Sequence, residues 1–245
     1  MDKLKKYWPV VLFVAGVVVF AGLYFLVIKG RGDKGIEVEE EEAVPEIAFE
    51  KRPLVSLTPT EDGHWLALSI SKLMVEAETL DYDLLYMVES GITQGVPGTF
   101  QLGGEGELTA ELLLGSESSG KFRYDEGVKE GTLTLKYRNN MGKLVGKLET
   151  QWALLNNVDE LSSVDGKFRM ILDGDNEGYF IVMEALGLPG GDPGDVVAGP
   201  YGVFSSRSDF EGEVEIEGKA LWWDGTEWVD GEIASGGGVF VGVSE

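Results

Sequence analysis

The stretch Thr132-Leu133-Thr134-Leu135-Lys136-Tyr137-Arg138-Asn139-Asn140-Met141-Gly142, followed by Lys143–Trp152, decides the fold class. Leu133, Leu135 and Tyr137 alternate with Thr132, Thr134 and Lys136, the period of a strand buried on one face. Asn139 to Gly142 then supplies turn chemistry, so Lys143–Trp152 is expected to return as a hairpin partner. The same period recurs outward from there. Val214 and Ile216 alternate with Glu213, Glu215 and Glu217; Phe168, Met170 and Leu172 alternate with Lys167 and Arg169; Val239, Val241 and Val243 are expected to form the last strand. The 35 glycines, scattered and not periodic, suit a chain of many tight turns. One stretch reads two ways. Leu73, Ala77, Leu80, Leu84 and Val88 would mark a helix face, whereas Tyr82, Leu84, Tyr86 and Val88 fit a strand, the preferred reading.

The N-terminus has a different grammar. From Tyr7 to Ile28 there is no charged residue, long enough in helix to span a bilayer. Tyr7, Trp8 and Tyr24 lie towards its ends, where aromatic rings favour the interface. The bulky Leu23-Tyr24-Phe25-Leu26 offers no small-residue cleavage site, so a retained signal anchor is expected and not a cleaved peptide. Lys3, Lys5 and Lys6 flank one end and Lys29, Arg31 and Lys34 the other; with the terminal amine counted, the balance favours N-in. The expectation is a single-pass protein of the cell membrane, embedded through residues 7–28, with its bulk extracytoplasmic. Residues 29–52, with Glu37 and Glu39 to Glu42, read as an acidic flexible linker. Arg31-Gly32-Asp33 within it is an adhesion-like tripeptide too close to the bilayer for a receptor to reach.

The whole sequence is thus read as all-β behind an N-terminal transmembrane helix, with two β-sandwich-like units. Residues 1–28 form the cytoplasmic stub and helix and 29–52 the linker. Residues 53–156 form the first unit and 160–245 a smaller second one, divided near Asn156-Asn157-Val158-Asp159. Both open alike, on Glu61-Asp62-Gly63-His64-Trp65 and Val164-Asp165-Gly166-Lys167-Phe168. Duplication and two independent hairpin turns both account for that likeness.

Charge and composition exclude several functions. Beyond residue 34 the chain carries 14 basic and 41 acidic residues, a net of −27, which repels a phosphate backbone and rules against nucleic acid. Zero cysteines remove disulfides and thiol chemistry. A lone histidine, His64, removes most zinc sites and multi-histidine catalysis. Gly115–Lys121 has the spacing of a phosphate loop, but Phe122 stands where Ser or Thr would bind magnesium, and no helical period follows. Ser69–Lys72 and Ser118–Lys121 match Ser-x-x-Lys, a spacing loose enough to arise by chance.

Two local patterns remain as candidate sites. Asp173, Asp175 and Glu177, with Gly178 and Glu184, match the spacing of a calcium loop, yet strands flank them where helices belong. An acidic hairpin turn and a calcium site are the competing readings; no other cofactor is expected. Trp222, Trp223 and Trp228 flank the turn Asp224-Gly225. Their rings would either pack across the hairpin or stack on a sugar.

The stretch Thr79–Val88, with Tyr82, Leu84 and Tyr86, resembles the aromatic middle strand of immunoglobulin- or fibronectin-like domains, without the cysteine pair of antibody-like members. In its order of anchor, acidic spacer and β body the chain resembles signal-anchored bacterial envelope proteins. That resemblance implies location and architecture and carries no catalytic residues. The function expected is a non-enzymatic binding module, with envelope proteins or cell-wall glycan as partners. A structural spacer or accessory subunit is the alternative, and a hydrolase using acidic residues comes third.

Overall fold

The computed structural model describes residues 44–104, 106–174 and 176–244; the apolar run 7–28 and the acidic block lie outside them. Among the described residues no helix is long and apolar enough to cross a membrane. A 3-10 turn at Phe49–Lys51 leads into the strands. These are β1 (Leu54–Pro59), β2 (Trp65–Ser71), β3 (Thr79–Met87), β4 (Thr93–Gln101), β5 (Glu107–Leu113), β6 (Gly115–Ser118), β7 (Lys121–Tyr124), β8 (Glu130–Arg138) and β9 (Leu144–Asn156). There follow β10 (Glu160–Ser162), β11 (Phe168–Asp173), β12 (Tyr179–Glu184), β13 (Val196–Ser205), β14 (Glu211–Ile216), β15 (Lys219–Trp223), β16 (Trp228–Asp230), β17 (Ile233–Ser235) and β18 (Gly238–Val243). The described residues are all-β, and every strand pairing among them is antiparallel.

Nine strands make one sheet in the order β16-β15-β18-β13-β12-β9-β8-β3-β4. The alternation in β8 has its expected result: Leu133, Leu135 and Tyr137 are buried, and Leu135 sits opposite Leu148 of β9. The turn between them closes on Asn139, whose Oδ1 accepts the amides of Met141 and Lys143, both at 3.0 Å. Thr79–Met87 is a strand, with Leu80, Leu84 and Tyr86 buried.

Two small sheets cover this large one. Strands β1, β2 and β5 pack Leu57, Leu66, Leu68 and Leu112 against Leu84, Leu133 and Trp152. Strands β10, β11, β14 and β17 form the other, with Leu161, Phe168, Met170 and Val214 against Phe180, Val203 and Phe240. They lie on opposite faces. Strand β12 shows why: Ile181 and Met183 belong to the first core, while Phe180 and Val182 belong to the second. Successive strand residues point to opposite faces, so β12 is buried on both and reads as an unbroken apolar run. The division expected near Asn156 falls between β9 and β10. Both stretches nevertheless contribute strands to the large sheet, through β9 pairing with β12. The body also begins before Pro53, because Ile47 is buried in the first core, against Gly146.

Candidate aromatic and acidic sites

The β1–β2 turn builds one side of an aromatic surface. Thr60 Oγ1 donates to Asp62 Oδ1 (2.6 Å), which also accepts the His64 amide (3.1 Å), and the Trp65 amide donates to Thr60 Oγ1 (3.2 Å). These bonds, the Thr60 hydroxyl first, hold the Asp62 carboxyl below its usual range. Gly63 completes the turn at φ +69°; a Cβ there would meet the Tyr179 ring at 2.3 Å. The result fixes His64 and points Trp65 away from the core, on the outer face of β2.

Strands β6 and β7 form a two-stranded hairpin beside it. Its turn, Ser119-Gly120, has positive φ at both positions, as a tight hairpin requires. The phosphate-loop spacing is therefore a β-hairpin, and Lys121 opens a strand. Tyr86 Oη donates to Asp125 Oδ2 (2.9 Å) and ties down the end of β7. Phe122 and Tyr124, two residues apart, share one face at 47% and 39% exposure. Tyr124 stacks on His64 (centroids 4.0 Å, 4° between planes), Phe122 lies parallel to Tyr124 at 6.3 Å, and Trp65 meets Phe122 edge-on at 5.5 Å. A cleft of about 490 Å³ adjoins His64, bordered by Asp62, Glu126, Lys129, Leu154 and Tyr179. Sequence reasoning passed over these residues. The available signal was Phe122 and Tyr124 alternating with Lys121 and Arg123 in a strand too short to reach a core.

The tryptophan hairpin turns where expected, on Asp224, whose Oδ1 accepts the amides of Thr226 (2.7 Å) and Glu227 (2.9 Å). Its rings part company. Trp222 faces the second core and stacks on Phe240 at 6.3 Å. Trp223 and Trp228 point to the other face and meet edge-on at 5.6 Å. The loop through Gly190 and Gly191 passes close over this pair, and Lys72 Nζ anchors it by donating to Leu188 O (3.2 Å). What stays open is a cleft of about 210 Å³ where Trp223 joins Phe204, Val239, Pro189 and Ser56.

Glu184 stands apart from Asp173 and Glu177. Asp173 ends β11 opposite Glu211, and Glu177 lies in the following turn, where its carbonyl accepts from Arg207 Nη1 (3.2 Å). Asp175 lies outside the described residues. Glu184 ends β12, roughly 17 Å along the strand from Tyr179 at about 3.3 Å per residue. Among the described residues no group of three or more His, Asp or Glu is placed to hold a metal ion. Glu184 instead faces a cleft of about 460 Å³ with Asp165 and Tyr201. Burial, and then the nearby Asp165 charge, push its carboxyl up. Burial alone would raise Asp165 too. Hydrogen bonds from Ser163 Oγ (2.5 Å), the Lys167 amide (3.2 Å) and Tyr201 Oη (2.8 Å) outweigh that and hold it low. Burial, with Asp165 as acceptor, pushes the Tyr201 hydroxyl up.

No protein-family model matches the chain, and neither a curated protein nor a solved structure is similar to it, so its sites speak through their geometry alone.

Proposed function

We propose that the protein is a membrane-tethered, extracytoplasmic binding module without catalytic activity, presenting an aromatic platform to a ring-bearing ligand such as cell-wall glycan. In this reading residues 7–28 are the anchor, N-terminus inside, and the acidic segment is the spacer. The two halves of the body act as sandwich-like units of the immunoglobulin or fibronectin kind. The observation that carries the proposal is the run His64–Tyr124–Phe122–Trp65, four neighbouring rings of which Phe122 and Tyr124 are exposed and the other two half-buried. Exposed apolar rings held rigidly on a hairpin stack on flat ligands at little entropic cost. The cleft at Trp223 is the secondary place for such a ligand. A hydrolase fits less well. Asp165, which shares the cleft with Glu184, already accepts three hydrogen bonds, two that close its own turn and one from Tyr201.

The test is co-sedimentation of the full chain, purified in detergent, with isolated cell-wall material. Saturable pelleting is expected, and Phe122→Ala or Tyr124→Ala should weaken it by about tenfold each, the equivalent of about 1.4 kcal/mol per ring. Trp223→Ala should have the smaller effect. Pelleting that survives the double Phe122→Ala, Tyr124→Ala variant sinks the platform, and no pelleting at all sinks the glycan.

A further inference from the structure

Among the described residues, the face of the large sheet that carries β10, β11, β14 and β17 in one half is left uncovered in the other. Its uncovered part is divided. At one end charges are paired: Arg138 Nε donates to Asp81 Oδ2 at 2.7 Å, and Lys147 lies 3.3 Å from Glu149. At the other end the surface turns apolar. Leu85, Met87 and Ile92 are 37%, 53% and 59% exposed, and Val164 joins them from the β10–β11 turn at 38%. Leu85, Met87 and Val164 border a notch of about 260 Å³ with Gly131 in its lining. Beside it lie Asp83, two residues from Leu85 on the same face of β3, and Glu130, which lines the notch itself. Neither carboxylate has a hydrogen bond or an ion pair among the described residues.

We infer that this notch docks an amphipathic, basic segment of a protein partner, its apolar side on Leu85, Met87 and Val164 and its cations on Asp83 and Glu130. An apolar floor with uncompensated acid at its rim selects that chemistry. A second copy is disfavoured, because a two-fold contact would bring these carboxylates towards their own images. Anionic lipid is disfavoured by the same charge. The contact is made by the face and not by strand addition: Pro97 of the neighbouring edge strand β4 sits opposite Asp83 and offers no amide donor.

Three methionines exposed among the described residues make the test internal. Met74, Met87 and Met141 are 54%, 53% and 81% exposed, so all three should oxidise readily in hydroxyl-radical footprinting. The probe is a synthetic amphipathic helix of leucine and lysine, added to the full chain, with a leucine–glutamate helix of the same pattern as control. The lysine peptide should protect Met87 several-fold and leave Met74 and Met141 unchanged, and the glutamate peptide should protect none. Glu130→Lys, an exposed change, should weaken the lysine peptide by about tenfold. Equal protection of all three methionines would mean diffuse charge attraction and would overturn the inference. So would unaltered affinity in Glu130→Lys. Concentration-dependent self-association that buries Met87 without peptide would assign the notch to a second copy and overturn it as well.

Discussion

Thr60-Glu61-Asp62-Gly63 and Ser163-Val164-Asp165-Gly166 fold into the same turn. In each a hydroxyl donates to the Asp two residues on, that Asp accepts an amide two residues further, and the Gly sits at φ +69°. The residues that follow part ways: Trp65 is turned outward, whereas Phe168 is fully buried. Asp-Gly chemistry is legible in sequence because its bonds are local. Which side of a strand is buried is not local here, since it follows from which face of the large sheet receives the small one. Likewise Glu184 looked like the twelfth ligand of an acidic loop, and only the extension of β12 shows it belongs with Asp165. Its raised carboxyl has a consequence for stability. The folded state binds the Glu184 proton more tightly than the unfolded chain, so this contribution falls as pH rises from the ordinary glutamate value through the folded one. At neutral pH the charged form is a penalty. Glu184→Gln should therefore raise the melting temperature at neutral pH, with the gain fading in acid; a gain equal at both pH values would rule out buried charge as its source.

Among the elements, β12 and β4 are opposites. Tyr179-Phe180-Ile181-Val182-Met183 has no alternation because both faces are covered, a pattern readable as a strand but silent about what covers it. Among the described residues, strand β4 is the sheet's long edge, nine residues paired only with β3. Pro97 stands in its middle without a break in register, so its nitrogen faces away from β3 and the edge lacks a donor there. At the other end β16 is only three residues long. Both edges are thereby blunted against pairing with other chains. Pro97→Val should restore the missing donor and change monomer stability by less than about 1 kcal/mol. It should also increase concentration-dependent association, read by light scattering; unchanged scattering would mean that the glycines of β4, not Pro97, protect the edge.

For the whole molecule the decisive fact is the shared sheet. Ile181, Met183 and Leu186 complete a core whose other members come from residues 47–154. The β8–β9 and β15–β16 hairpins follow from alternation and turn residues, whereas the pairings of β2 with β5, β3 with β8 and β13 with β18 do not. Nor does the seam between β9 and β12, because neither strand carries a mark of its distant partner. The body should accordingly unfold in one transition, with tryptophan fluorescence and far-UV circular dichroism coincident. Met183→Ala should shift both probes together, by about 2–5 kcal/mol. Two separated transitions would show that the cores melt independently. The opposed faces have a geometric outcome of their own. The rings around Trp65 lie outside the three-stranded sheet, and Leu85 and Met87 lie beyond the large sheet on its far side, with backbone layers about 10 Å apart between them. Guests taken at both would never meet, and neither would shade the other. The body would then serve as a rivet, with two heads and a shank two sheets thick, joining a layer on one side to a layer on the other at a fixed spacing.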